Sequence, residues 1–140
     1  MRSSLTAWLL PTLLYVVLLG ALGVTGKLAL RGLSWQELII WTAIAYSACA
    51  VVFLALGTGV ELEVNTWWAL ASAVIVPAAL ILLYVALGNG EASKIIPISA
   101  AYPAVTLLLA GLFLDEAVTL VKLGGLLLVL TGVVLLTVAE

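Results

Sequence analysis

The sequence predicts an all-α fold: an integral membrane bundle of five transmembrane helices, forming a single domain over residues 1–140. Three observations predict it. Of the 140 residues, 66% are hydrophobic and 9% charged, against about 45–50% apolar and about 25% charged in soluble domains. The apolar residues gather into five continuous runs, at residues 8–30, 36–56, 66–87, 93–114 and 120–138. Each is near the roughly 20 residues that cross about 30 Å of hydrocarbon. Between the runs stand turn-forming or charged segments: Gly32-Leu33-Ser34, Gly57-Thr58-Gly59, Gly88-Asn89-Gly90 and Asp115-Glu116. Strands are disfavoured because the runs are continuous instead of alternating, and an open sheet would present unpaired backbone groups to lipid. Connections this short make successive helices antiparallel neighbours.

The first run follows Arg2 and is interrupted early by Pro11. It exceeds the roughly 7–15 apolar residues of a signal-peptide core, so it reads as a retained membrane helix. Gly20, Gly23 and Lys27 share one face, and glycines let a neighbouring backbone come close, so that face points into the bundle. Two readings of Lys27 stand side by side. Its stem can lie along apolar surface while the ammonium reaches the interface, or it can line a cavity and meet substrate.

The second run carries the single cysteine, Cys49. An intrachain disulfide is impossible, and apolar surroundings raise a thiol pKa, so Cys49 reads as a small packing residue. Trp8, Trp35, Trp67 and Trp68 fall near helix ends, where indoles prefer the headgroup level, whereas Trp41 lies deeper. In the third run Pro77 and Tyr84 share a face. Proline lacks an N–H and clashes with the carbonyl four residues earlier, so Pro77 is a candidate kink.

The fourth run contains the stretch SKIIPISAAYPAV, residues 93–105. With Ser93 as N-cap, Pro97 stands at the edge of the first turn, where N–H groups lack partners anyway. Pro103 lies about 9 Å deeper and deprives the Ser99 carbonyl of its usual donor. A freed carbonyl at membrane depth must face protein or a wet cavity. Ser99, Tyr102 and Thr106 project within about 60° of one another, forming a polar stripe on this segment. The hydroxyls either satisfy freed backbone groups and hold helices together, or line a pathway along a broken helix. Lys94 at the helix start reads as an interfacial charge. The fifth run, LGGLLLVLTGVVLL, places Gly125 with Gly132 and Gly124 with Thr131. This seam of small residues suits either intrachain packing or a dimer contact.

Charge and residue types exclude several functions. The net charge of −2 and the lack of a basic cluster argue against a nucleic-acid partner. There is no histidine, which removes histidine-ligated zinc and Ser-His-Asp chemistry; no nucleophile–base pair or metal-ligand cluster is visible, so neither an enzyme nor a cofactor is expected. Glu37, Glu61, Glu63, Glu91, Asp115, Glu116 and Glu140 all fall at run ends or in loops, so no buried carboxylate offers proton coupling. Arg2 and Lys122 lie on the N-terminal side of the bilayer and Lys27, Arg31 and Lys94 on the other. Two against three is almost no positive-inside bias. It fits a fixed N-outside orientation with a weak signal, or insertion both ways up.

The run GNGEASKIIPISAAYPAVTLLLAGLFLDEAVTLVKLGGLLLVLTGVVLL, residues 88–136, resembles the closing part of the EamA repeat of the drug/metabolite transporter superfamily. It carries a Gly-x-Ala-Ser start, a Pro-Ile step, a second proline, Phe-Leu-x-Glu before Thr, and a glycine-rich closing helix. The first half matches more loosely, through a glycine-rich helix ending in Gly26-Lys27-Leu28. The resemblance implies one EamA-like repeat of the five-helix branch, where most relatives carry two inverted repeats. Five-helix relatives often place an acidic–basic pair after the Pro-Ile step; here Ser99-Ala100 stand there, so charge-based coupling does not carry over.

Together these readings point to a multi-pass carrier of the plasma or inner membrane for small polar or amphipathic metabolites, working by alternating access. An antiparallel homodimer, or a homologous half-size partner, would rebuild the ten-helix inverted pair. The alternative is a non-transporting subunit or scaffold packing against another membrane protein.

Overall fold

A computed structural model describes residues 2–60 and 63–138, with side chains from Trp8 onward. Glu61 and Glu140 lie outside the described residues, as does the side chain of Arg2. The structure is all-helical among the described residues: α1 (Arg2–Ala29), α2 (Trp35–Ala55), α3 (Thr66–Asn89), α4 (Ala92–Ser99), α5 (Tyr102–Phe113) and α6 (Leu120–Val138). These six segments make five spans long and apolar enough to cross a membrane, with α4 and α5 together forming the fourth, Ala92–Phe113. The chain divides into two compact units, Met1–Asn89 and Gly90–Glu140.

In the first unit α3 packs against both α1 and α2. The helix ends follow from local chemistry. Ser34 caps α2: its hydroxyl accepts from the Glu37 N–H at 3.3 Å, while the Glu37 carboxylate accepts from the Ser34 N–H at 2.7 Å. That reciprocal pair satisfies two otherwise orphaned donors. At the other end Gly57 takes φ +87°, and bonds run from Gly57 N–H to the Leu54 carbonyl and from Thr58 N–H to the Phe53 carbonyl. This is a Schellman motif, whose left-handed position favours glycine. α3 continues as one helix through Pro77.

In the second unit α4 packs against α6. Its N-cap is Glu91 rather than Ser93. The helix therefore starts earlier than its serine suggests, and Pro97 sits past the first turn. The fourth run, read from sequence as one kinked helix, is two helices. The Ala100 N–H bonds the Ile96 and Pro97 carbonyls, the Ala101 N–H bonds that of Ile98, and the Ala104 N–H bonds that of Ala101. These tight bonds close α4, and Pro103 falls in the first turn of α5. Its fixed φ suits a helix start, so Pro103 begins a helix instead of bending one.

α5 and α6 are joined by a turn through Asp115, whose φ of 51° is left-handed. Asp tolerates that region better than most residues. A Cβ on Gly111 would stand 2.9 Å from Val118 Cγ2, so the turn folds back onto α5 where only glycine fits without movement. The Lys122 ammonium donates to the Ala117 carbonyl at 2.8 Å and lies 3.8 Å from the Glu116 carboxylate. Among the described residues the buried hydrophobic side chains are Tyr84, Leu87 and Ala110. Most other large apolar side chains face outward, as spans surrounded by lipid require.

Candidate functional site

The tightest part of the first unit is where α1 meets the last turns of α3. Gly26 is buried there, and Gly23, one turn earlier on α1, is buried as well. A Cβ on Gly26 would lie 3.5 Å from both Leu87 Cδ1 and Tyr84 Cε1, so the missing side chain lets Tyr84 and Leu87 seat on the α1 backbone. Lys27, half-buried, donates from Nζ to the Leu87 carbonyl at 2.6 Å. That carbonyl belongs to the last turn of α3, where no further helical N–H follows. A cation there also meets the negative end of the helix dipole. The Asn89 amide donates to the Val85 carbonyl at 2.7 Å, so two side chains close this helix end. Gly20, expected on the same packed face, is exposed, and among the described residues nothing lies within 4 Å of its Cβ position.

Between α2 and α3 lies a groove of about 580 Å³, lined by Ile39, Thr42, Ala43, Tyr46 and Ser47 from α2 and Ser72, Ala73, Val76, Pro77 and Leu80 from α3. A second recess of about 360 Å³ shares Thr42, Tyr46 and Leu80 and adds Leu22 of α1, Trp41 and Tyr84. Pro77, Leu80 and Tyr84 thus form one face of α3 along both hollows. The structure brings Pro77 and Tyr84 to adjoining cavities, and Tyr84 to the neighbourhood of Lys27's helix turn. Thr42, Tyr46, Ser47 and Ser72 were missed by sequence reasoning. A signal was present: the hydroxyl pair Thr42 and Tyr46 repeats at helical spacing, and Ser72 precedes Pro77 by just over one turn.

In the second unit Ser99, Tyr102 and Thr106 flank and follow the helix break. Ser99 Oγ donates to the Ile96 carbonyl at 2.7 Å, and Thr106 Oγ1 donates to the Tyr102 carbonyl at 3.3 Å. Both hydroxyl protons therefore serve the local backbone, leaving their oxygen lone pairs outward. Tyr102 is 54% exposed. Among the described residues no backbone bond across the break ends on the Ser99 carbonyl, in keeping with the missing N–H of Pro103. On α6 nothing lies within 4 Å of the Cβ positions of Gly124, Gly125 or Gly132. Among the described residues no cluster of metal-ligating side chains occurs.

No solved structure matches the chain. An uncharacterized protein of Methanocaldococcus jannaschii is 42% identical over 73 residues, covering 52% of this chain and 53% of that protein. The chain thus spans about half the length of the curated relative it matches. The family description that fits is the EamA-like transporter family, whose sequence model matches residues 6–138. With its spans and this near full-length match, the chain belongs to the EamA-like transporter family and is a multi-pass membrane protein of the drug/metabolite transporter type.

Proposed function

We propose that the chain is a carrier of the plasma or inner membrane, moving small polar or amphipathic metabolites by alternating access. The observation that carries this reading is the interrupted fourth span. Helix-breaking backbone at membrane depth is tolerated where it is covered by protein or lines a water-filled cavity, and carriers use such discontinuous helices near the midplane. Here α4 ends at Ser99 and α5 begins at Tyr102, with hydroxyl lone pairs of Ser99 and Thr106 and the Tyr102 phenol beside the gap. A passive scaffold gains nothing from it.

The functional unit in this reading is an antiparallel homodimer. One repeat of five spans supplies half of an inverted pair, and the near-even split of lysine and arginine between the two sides permits both insertions. The open glycine face of α6 leaves room for a close helix contact.

The test is the orientation of the C-terminus, read with two fusions, one reporter active in the cytoplasm and one active outside it. Comparable signal from both supports the antiparallel dimer. Signal from one alone sinks it, and an oppositely oriented partner chain or a non-transporting role then takes its place.

A further inference from the structure

We propose that the α2–α3 groove is a binding site for an uncharged small amphipath bearing a hydroxyl or amide group. Its volume, about 580 Å³, is within the roughly 300–1,000 Å³ of pockets that take drug-sized ligands. No charged side chain lines it. A charged ligand would find no counter-charge there: an anion would face mainly acceptors, and a cation would meet only neutral oxygens.

The polar groups present are of one kind. Thr42 and Ser47 donate their hydroxyl protons to the Leu38 and Ala43 carbonyls, at 2.9 and 2.8 Å. Their remaining lone pairs can only accept. Pro77 has no N–H to offer the Ala73 carbonyl one turn before it, and both residues line the groove. Tyr46 and Ser72 add hydroxyls that can donate as well as accept. The groove thus offers an excess of neutral acceptors and two hydroxyl donors between apolar walls. A ligand hydroxyl or amide supplies the complementary donor and acceptor, while its apolar body lies along the aliphatic lining.

This names the substrate class of the carrier proposed above and rests on that reading for its use, though binding itself does not. The experiment therefore reads binding without transport. The purified chain in lipid nanodiscs is photolabelled with a medium-chain alcohol carrying a mid-chain diazirine, and with the carboxylate and trimethylammonium versions of the same chain. The expected result is saturable labelling by the alcohol alone, mapped to α2 and α3 peptides around Tyr46 and Ser72. The pair of substitutions Tyr46→Phe and Ser72→Ala, which change little volume, should weaken the alcohol's apparent affinity about tenfold. Cys49→Ala, on α2 but outside the lining, should leave it unchanged.

Equal labelling by all three head groups overturns the proposal, as does labelling that spreads unsaturably over every span in the manner of bulk lipid. Unchanged affinity in the double variant overturns it too. Saturable alcohol binding by a chain that then fails to transport it in vesicles keeps the site and removes the carrier reading. Transport of a substrate that leaves alcohol labelling absent does the reverse.

Discussion

The ammonium of Lys27 sits 2.6 Å from the carbonyl oxygen of Leu87, sixty positions along the chain, and ties the last turn of α1 to the last turn of α3. A hydrogen bond to a charged group contributes about 1.5–3 kcal/mol in soluble proteins, and somewhat less where the unfolded chain in lipid finds other partners. Lys27→Met, which keeps the stem and loses the donor, is expected to lower stability by about 1–2 kcal/mol. Unfolding in mixed micelles with rising dodecyl sulfate measures it. Lys27→Arg should retain more than half of the stability, and equal loss in both variants would contradict the cap.

Gly26 makes a graded prediction. Its Cβ position is in ordinary van der Waals contact with Leu87 and Tyr84, so Gly26→Ala should be neutral to stabilising, by up to about 1 kcal/mol from the better helix propensity of alanine. A larger residue overpacks the seat. Gly26→Leu is expected to cost about 1–3 kcal/mol, and Tyr84→Ala in the same chain should recover part of that loss.

Gly111 is stricter, because a Cβ there meets Val118 Cγ2 at 2.9 Å. Gly111→Ala is expected to destabilise by about 1 kcal/mol or more, despite the better helix propensity of alanine. In the Val118→Ala background the penalty should vanish. A double-mutant cycle with no coupling would show that the turn relaxes elsewhere.

The helix break can be probed with a thiol after Cys49→Ala. A cysteine introduced by Ala101→Cys should react with a membrane-impermeant maleimide, because the interrupted backbone lines a wet cavity in the carrier reading. Adding Pro103→Ala restores the N–H that the Ser99 carbonyl lacks, and is expected to slow the reaction at least several-fold. Leu18→Cys, mid-span on α1 and 68% exposed, outside the packed face of Gly23 and Gly26, serves as the unreactive lipid-facing control. Equal rates at positions 101 and 18 would contradict water at the break.

The sequence made some of this legible and left the rest obscure for physical reasons. The five spans follow from continuous apolar runs, since a lipid solvent imposes length and composition directly. The fourth span's interruption was signalled by Pro97 and Pro103, but not its form. Whether proline bends a helix or starts a new one depends on the turn before it, here the bonds made by Ala100 and Ala101. The partner of Lys27 was not legible at all, because a backbone carbonyl carries no residue-type signal. The groove hydroxyls were hidden differently. Thr42, Ser47 and Ser72 look like ordinary small residues of a membrane helix until α2 and α3 are placed face to face.

The unequal lengths of α2 and α3 have a consequence for the bilayer. At about 1.5 Å per residue, the 21 residues of α2 measure roughly 31 Å and the 24 of α3 roughly 36 Å. The first matches about 30 Å of hydrocarbon, whereas the second exceeds it, an excess that tilting, kinking or local thickening of the bilayer takes up. The hollow beside Pro77 lies along this pair. Where α3 takes up its excess by tilting against α2, a thicker bilayer reduces that tilt and changes the gap between the two helices. Lipid chain length would then act on the width of this hollow.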